Sequence, residues 1–173
     1  MLLNISNKEK RFTEFNIGKS IFNIATYHLQ FNEWQKNTTI DTYNGKQLLN
    51  FNDQPLFAEL CVQRILEQDG YNAVWADTYR NKFWKDLPSL GLPVLLDSIA
   101  NEKYNMIKKE NYGKRGGCWD IFAFTQNHFL FLELKRIDKG SDRIREKQIN
   151  WFNAAMKVGF TNDNFGIVEW SVK

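Results

Sequence analysis

The sequence predicts an α/β protein in which helices pack on a mixed β-sheet. Two apolar runs separated by the polar residues 126–128 predict a β-hairpin. A segment with helical spacing of apolar residues, 53–70, precedes a short strand at 73–76, and a second such segment, 142–157, precedes a last strand at 165–172. The order from residue 53 is therefore helix, strand, insertion, strand, strand, helix, strand, which is typical of helices that flank a mixed sheet.

Residues 1–50 carry the weakest pattern in the chain. The segment 20–34 is rich in Ile, Phe, Tyr and Trp, and we predict that it forms a helix packed on the main domain. Residues 37–44 are polar and predict a loop. We therefore expect an N-terminal helical extension over residues 1–50 that packs on a core of residues 51–173, in a single domain overall.

The first core helix has recognisable ends. Asp53 is placed to cap it, Pro55 falls in its first turn, and Gly70 closes it. After the first core strand, residues 78–118 form a long insertion that contains a predicted helix from about residue 94 to 109. The insertion therefore separates the first core strand from the hairpin.

The hairpin carries acidic residues where a buried strand should be apolar. With the polar turn at its tip, Phe122 faces Phe131 and Asp120 faces Glu133, while Lys135 shares the face of Glu133. Like charges that lie directly opposite each other on neighbouring strands are destabilising. A divalent cation between the two carboxylates would offset this repulsion, so the pattern predicts a metal site.

The alternative is an exposed hairpin face with ordinary solvated charges. Against it, apolar side chains occupy both faces of the second strand, which predicts a central, buried strand. A buried carboxylate and a buried ammonium group are costly unless they are paired or bound to a metal. Hard oxygen ligands with no His or Cys nearby favour Mg²⁺ or Mn²⁺ over zinc.

Gln148 lies on the predicted last core helix, which Ser141 or Asp142 can cap and Gly159 follows. It falls within the apolar stripe of that helix, three residues before Trp151, and should therefore face the sheet. A glutamine there is either a core amide satisfied by the backbone or a ligand in the site. Its position one loop after the hairpin makes the second interpretation at least as good as the first.

Glu59 is a further candidate on the first core helix. Its helical neighbours Leu56, Val62 and Leu66 are apolar, so its side chain points partly inward. It is either a boundary glutamate bonded to a neighbouring cation, such as Arg64 or a lysine, or a member of the acidic site. The pattern leaves both open.

Basic residues cluster around the candidate acidic site and in the insertion. Such charges are usually a solvated face, but here aromatic residues lie among them, as a phosphate-backbone partner would require. We therefore expect DNA, duplex or branched, as a partner. The candidate contacts are Arg136, Lys139, Arg143, Lys147, Lys114 and Arg115.

Composition sets only mild limits on function. The 173 residues are 43% hydrophobic and 15% aromatic, and the net charge of +3 permits a nucleic-acid partner without establishing one. Two cysteines, far apart in sequence, suit a reducing compartment. No signal peptide and no apolar run of membrane-spanning length is visible, so we expect a cytoplasmic protein without a membrane partner.

Asp120, twelve intervening residues, then Glu133-Leu134-Lys135 resembles the catalytic signature of the PD-(D/E)XK nuclease superfamily. The match is closest to the VRR-NUC type. The segment 116–120 is similar to the Gly-x-Pro-Asp segment of that type, with Trp119 in place of the proline. This departure leaves the carboxylate of Asp120 intact.

Two further segments extend the resemblance to residues 53–172. Phe57-Ala58-Glu59-Leu60 is similar to the first-helix glutamate segment of these nucleases. Asp142-Arg143-Ile144, with Gln148 and Trp151, is similar to their Asp-Arg-Leu, Gln and Trp helix start. Residues 1–50 and much of the insertion have no counterpart.

The resemblance implies a restriction-endonuclease-like core, α-β-β-β-α-β, and hydrolysis of phosphodiester bonds with Mg²⁺ or Mn²⁺. Asp120, Glu133 and the backbone carbonyl of Leu134 would hold the metal, and Lys135 would orient or deprotonate the attacking water. Gln148 would position that water or the lysine. Glu59 would bind through water to the first metal or help to hold a second.

The sequence therefore predicts a metal-dependent DNA nuclease that acts on branched or flapped DNA in repair or recombination. Two alternatives stay open: a non-catalytic nucleic-acid-binding module that keeps the nuclease fold, and a protein-interaction domain that docks through its aromatic N-terminal segment. The oligomeric state is also open, although junction cleavage would favour a homodimer.

Overall fold

The computed structural model describes residues 11–17, 20–43, 45–140 and 143–173. Over these residues one sheet contains nine strands in the order β4-β3-β2-β9-β8-β7-β5-β6, and β1 pairs with β2 outside this path. The strands are β1 (Arg11–Ile17), β2 (Ser20–Glu33), β3 (Leu49–Phe51), β4 (Gln54–Leu56), β5 (Asn72–Asp77), β6 (Lys82–Trp84), β7 (Ile121–Phe124), β8 (Phe129–Arg136) and β9 (Phe165–Val172). The helices are α1 (Ala58–Gln68), α2 (Ser98–Glu110) and α3 (Glu146–Lys157), with a 3₁₀ turn at Asn162–Asn164.

The predicted α/β class and the mixed sheet are confirmed. Strand β9 lies parallel to both β2 and β8, and the other pairs are antiparallel. From α1 onward the order is helix, strand, insertion, strand, strand, helix, strand, as the sequence predicts. The restriction-endonuclease-like character of this core stays a prediction.

The helix predicted for residues 20–34 was wrong. This segment forms the 14-residue strand β2, which lies inside the sheet between β3 and β9. Ile, Phe, Tyr and Thr favour a pleated, half-buried surface over a helix. The strand does not alternate between apolar and polar residues because four consecutive residues, 24–27, are buried where the sheet is covered on both faces.

The predicted start of the first core helix was also wrong. Asn52 and Asp53 adopt positive φ angles of 50° and 62° in the turn between β3 and β4. Pro55 lies on β4, at the edge of the sheet, where a residue without an N–H is tolerated. Helix α1 begins only at Ala58.

The insertion contains one predicted element and one that was missed. Asp97 caps α2 through a 2.8 Å hydrogen bond from the backbone N–H of Ala100, a few residues after the predicted start. Strand β6 (Lys82–Trp84) pairs with β5 and extends the sheet edge. The predicted caps Ser141 and Asp142 lie outside the described residues, and α3 begins at Glu146.

Two hydrophobic cores enclose the central strands. One lies between the sheet and α1 and includes the leucines of β8, at 130, 132 and 134. The other lies between the sheet and α2 and α3 and includes Phe131, Trp151 and Phe152. Strand β8 is therefore buried on both faces, as predicted. Among the described helices, none is long and apolar enough to cross a membrane.

Candidate active site

The hairpin of β7 and β8 brings the two predicted acids opposite each other. Phe122 pairs with Phe131 and Ile121 pairs with Leu132, so the predicted register is confirmed and places Asp120 across from Glu133. The Thr125 N–H donates to the His128 carbonyl over 2.8 Å, which closes the turn at the predicted position.

The side chain of Asp120 takes the place of a strand partner. In an antiparallel ladder every second residue pair exchanges backbone hydrogen bonds. Ile121–Leu132 is such a pair, so the following one would be Trp119–Leu134, in which the Leu134 N–H would donate to the Trp119 carbonyl. Instead this N–H donates to Oδ2 of Asp120 over 2.9 Å. The carboxylate therefore lies at the point where the two strands separate.

Glu133 and Lys135 form a buried ion pair on β8. Their exposed fractions are 2% and 6%, and Lys135 Nζ lies 2.9 Å from Glu133 Oε1. The other carboxylate oxygen, Oε2, is buried and has no hydrogen-bond partner among the described residues. A buried carboxylate oxygen without a partner is costly and marks a position for a proton or a cation.

Burial and a neighbouring negative charge raise the pKa of each acid. Burial is the main cause for Asp120, followed by the negative charge of Glu59, and together they raise its pKa to about 6. For Glu133, burial and then the charge of Asp120 raise the pKa well above its ordinary value, against the opposing effect of Lys135. The acids therefore favour a shared positive charge between them.

Gln148 reaches the acids from the first turn of α3. Its Oε1 accepts a hydrogen bond from the backbone N–H of Arg145 over 2.8 Å, so its amide nitrogen must point the other way. That nitrogen donates to Glu133 Oε1 over 2.5 Å. The glutamine therefore caps its own helix and fixes the glutamate at the same time.

Gly117 allows the start of α3 to approach the segment before β7. It adopts a φ of +92°, and a Cβ atom there would lie 1.9 Å from the carbonyl oxygen of Lys147. The indole N–H of Trp119 donates to the carbonyl of Gln148 over 3.3 Å in the same contact. The absence of a side chain at residue 117 therefore sets how closely Gln148 can approach Glu133.

Glu59 lies near Asp120 but is already paired. It comes from the first turn of α1, and its carboxylate bonds to the ammonium group of Lys46. Glu59 and Asp120 line the same cavity, and the charge of Glu59 raises the pKa of Asp120. The alternative partner considered from the sequence, Arg64, pairs with Glu67 and Asp86 instead.

Lys46 is the site residue that the sequence did not reveal. It lies in the loop between β2 and β3, in a polar stretch with no periodic pattern. Together with Glu59 and Asp120 it lines a cavity of about 230 Å³. Asp77 and Arg80, which pair over 3.2 Å, line the same cavity. Only the fold brings this loop to the acids.

The predicted DNA-contacting residues fall into three groups. Arg136 bonds to Asp138 over 2.6 and 3.1 Å, and Arg115 donates to the Asn81 carbonyl over 2.8 Å, so both have intramolecular contacts. Lys114 and Lys147 line one groove of about 1060 Å³ between α2 and α3. The remaining two, Lys139 and Arg143, are exposed.

The oxygen atoms of the site suit a hard cation, although only two carboxylates of the described residues, those of Asp120 and Glu133, are in position to bind it. In the described part of the chain, no group of three or more His, Cys, Asp or Glu side chains is arranged to hold a metal ion. Asp120 and Glu133 offer carboxylate oxygens, one of them without a partner. The Leu134 carbonyl points toward the same side as its N–H, which contacts Asp120. These oxygens fit Mg²⁺ or Mn²⁺ if water completes the coordination.

No protein-family model, no curated protein and no solved structure matches the chain.

Proposed function

We propose that this protein is a metal-dependent nuclease that hydrolyses phosphodiester bonds in DNA. The observation that carries the proposal is a buried glutamate and a half-buried aspartate beside a buried lysine, with one carboxylate oxygen of the glutamate that lacks a partner among the described residues. The resemblance to VRR-NUC-type nucleases of the PD-(D/E)XK superfamily supports the same chemistry.

Asp120, Glu133 and the Leu134 carbonyl would hold Mg²⁺ or Mn²⁺. When bound, such an ion polarises the phosphate and lowers the pKa of water. The raised pKa values of the two acids support this assignment, because a cation between them would relieve the repulsion that burial intensifies.

The residues of the chain would then supply positioning and charge. The ammonium group of Lys135, fixed by Glu133, would orient the attacking water and stabilise the negative charge that develops on the phosphate. Gln148 would maintain this arrangement because it restrains the same oxygen of Glu133. Lys114 and Lys147, in the groove between α2 and α3, would bind the phosphate backbone of DNA.

The test is cleavage of plasmid, flap and four-way-junction DNA with Mn²⁺ or Mg²⁺. Wild type should cut at least one substrate, and Asp120→Asn and Lys135→Ala should lose about 100-fold or more of this activity. Asp163→Asn, a surface carboxylate outside the site, is the matched control. Equal cleavage by all four proteins, or none by wild type on any substrate, would reject the proposal.

One observation favours a second candidate, a non-catalytic nucleic-acid-binding module. Lys46 and Lys135 already compensate Glu59 and Glu133, so the fold can tolerate these acids without a metal. This candidate predicts DNA binding that weakens with salt, is unaffected by EDTA, and produces no strand breaks with any divalent ion. Gel-shift and cleavage measurements on the same samples distinguish the two.

A further inference from the structure

Lys46 reaches the acidic site from the loop between β2 and β3, outside the segments that resemble the nuclease signature. Its ammonium group bonds to Glu59 on α1 and lies 5.2 Å from the centre of the Trp75 ring and 5.8 Å from that of Phe57. Two aromatic faces and a carboxylate therefore fix its position. It lines the same cavity as Asp120.

The surroundings of Lys46 keep it charged. Burial alone would lower its pKa, but the charge and hydrogen bond of Glu59, followed by the charges of Asp120 and Asp77, outweigh burial and raise the pKa above its ordinary value. Lys46 is therefore a permanent cation on the α1 side of Asp120 at any physiological pH.

We propose that the ammonium group of Lys46 occupies the position of a second metal ion, so that the site takes one divalent cation, between Asp120 and Glu133. This inference rests on the proposed nuclease function and specifies its metal requirement. In two-metal sites the ions lie about 3.5–4 Å apart and share a carboxylate. Here Asp120 is the acid placed between both groups, because it faces Glu133 across the hairpin and lines one cavity with Lys46 and Glu59.

The charges of the site support a single ion. Among the described residues, three carboxylates of the site, Asp120, Glu133 and Glu59, face two ammonium groups, Lys46 and Lys135. This leaves one negative charge uncompensated within that set when all are ionised. One divalent ion meets this demand. A second would lie against a fixed positive charge, and Glu59 would have to exchange Lys46 for the metal. Glu59 is therefore a positioning partner of Lys46 and not a metal ligand in the wild-type protein.

The experiment counts bound Mn²⁺ at pH 7.5 by isothermal titration calorimetry and by electron paramagnetic resonance, which also detects coupling between two adjacent ions. Wild type should bind one ion without such coupling. Lys46→Met, which removes the charge but keeps the length of the side chain, should bind two coupled ions because Glu59 becomes available. Lys46→Arg, the matched control, keeps the charge and should bind one.

A second pair of variants shows whether a changed ion count could come from misfolding. Circular dichroism checks that each variant is folded. Lys46→Gln should behave like Lys46→Met. Glu59→Gln should still bind one ion, but more weakly than wild type, because the charge of Lys46 is then uncompensated beside Asp120. Any other count in wild type, an unchanged count in both uncharged Lys46 variants, or two ions in Glu59→Gln overturns the inference. Wild type that binds no ion overturns the proposed nuclease function as well, whereas one ion in wild type and both variants overturns only the role of Lys46.

Discussion

The carboxylate of Asp120 accepts a hydrogen bond from the backbone N–H of Leu134 over 2.9 Å, at the point where β7 and β8 separate. A side chain thus completes the backbone ladder, which holds the acid in place before any ligand binds. Because Leu134 also offers its carbonyl on this side, one residue pair both orients the acid and supplies a further oxygen. The candidate site is therefore part of the sheet itself.

Asp120→Asn should separate activity from stability. The amide oxygen can still accept from Leu134, but the negative charge beside Glu59 and Glu133 is lost. We expect cleavage to fall by at least about 100-fold, because even groups outside the metal ligands cost about 10–100-fold. Without metal at pH 7, the variant should be more stable than wild type, by on the order of 1 kcal/mol or about 2–4 °C in Tm for a chain of this size. Differential scanning fluorimetry in EDTA measures this, and a lower Tm than wild type would contradict it.

The stability of the metal-free protein should fall as pH rises through the acid range. The pKa of Asp120 is about 6 in the folded state against an ordinary value of 3.8, so between these values the folded state binds more protons than the unfolded state. The free energy of unfolding then decreases with rising pH. The raised pKa of Glu133 acts in the same direction. In Asp120→Asn this slope should be shallower, and urea unfolding in EDTA at a series of pH values provides the measurement.

Lys135→Met should destabilise the protein more at high pH than at low pH. It leaves the buried carboxylate of Glu133 without its ion-pair partner, and breaking a buried pair costs about 3–5 kcal/mol. At pH 5 protonation of Glu133 should reduce this cost, since its pKa is already raised. The double variant Glu133→Leu/Lys135→Met should recover most of the lost free energy of unfolding. If the double variant were as unstable as the single one, the ion pair would not be the cause.

Gln148→Ala should weaken both the start of α3 and the geometry of Glu133. It removes the acceptor for the Arg145 N–H and the donor to Glu133, and loss of a helix-capping bond costs about 0.5–2 kcal/mol. Cleavage should fall by about 10–100-fold, as expected for a group that orients a metal ligand. Asn105→Ala, at an exposed position on α2 outside the groove, is the control and should change neither unfolding nor cleavage substantially. Equal effects of the two variants would count against the bridging role of Gln148.

Gly117→Ala should cost more stability than Gly159→Ala, although the two glycines have nearly the same φ, +92° and +96°. Both substitutions incur the left-handed backbone penalty of about 1–2 kcal/mol. Only at Gly117 would the new Cβ meet backbone, 1.9 Å from the Lys147 carbonyl oxygen, whereas nothing lies within 4 Å at Gly159. Chemical denaturation of the two variants compares the costs. Similar values would show that residue 117 and α3 are not in close contact.

Much of the candidate site could be predicted because it depends on local rules. In a hairpin the positions of the turn and of one residue pair fix every other pair. The pairing of Asp120 with Glu133 therefore follows from the two apolar runs and the polar turn. Gln148 could be recognised because a polar residue inside an apolar helical stripe has to face something polar.

The N-terminal part of the chain was predicted wrongly for the opposite reason. Strand β2 is covered on both faces and pairs with β9, more than 130 residues away. Its apolar residues therefore do not alternate with polar ones, and the segment lacks the pattern by which a strand is recognised from sequence. The start of α1 was misplaced because Asp53 and Pro55 suit a tight turn and an edge strand as well as a helix start. In both cases the deciding partner lies elsewhere in the fold.

The sequence by itself determined the mixed α/β class and the pairing of the two acids with Lys135, since strand alternation and hairpin register are properties of neighbouring residues. Only the tertiary structure decided that Lys46 bonds to Glu59 and lies close to Asp120. A loop lysine carries no periodic signal, and its position is set by the packing of α1 and β5 around it.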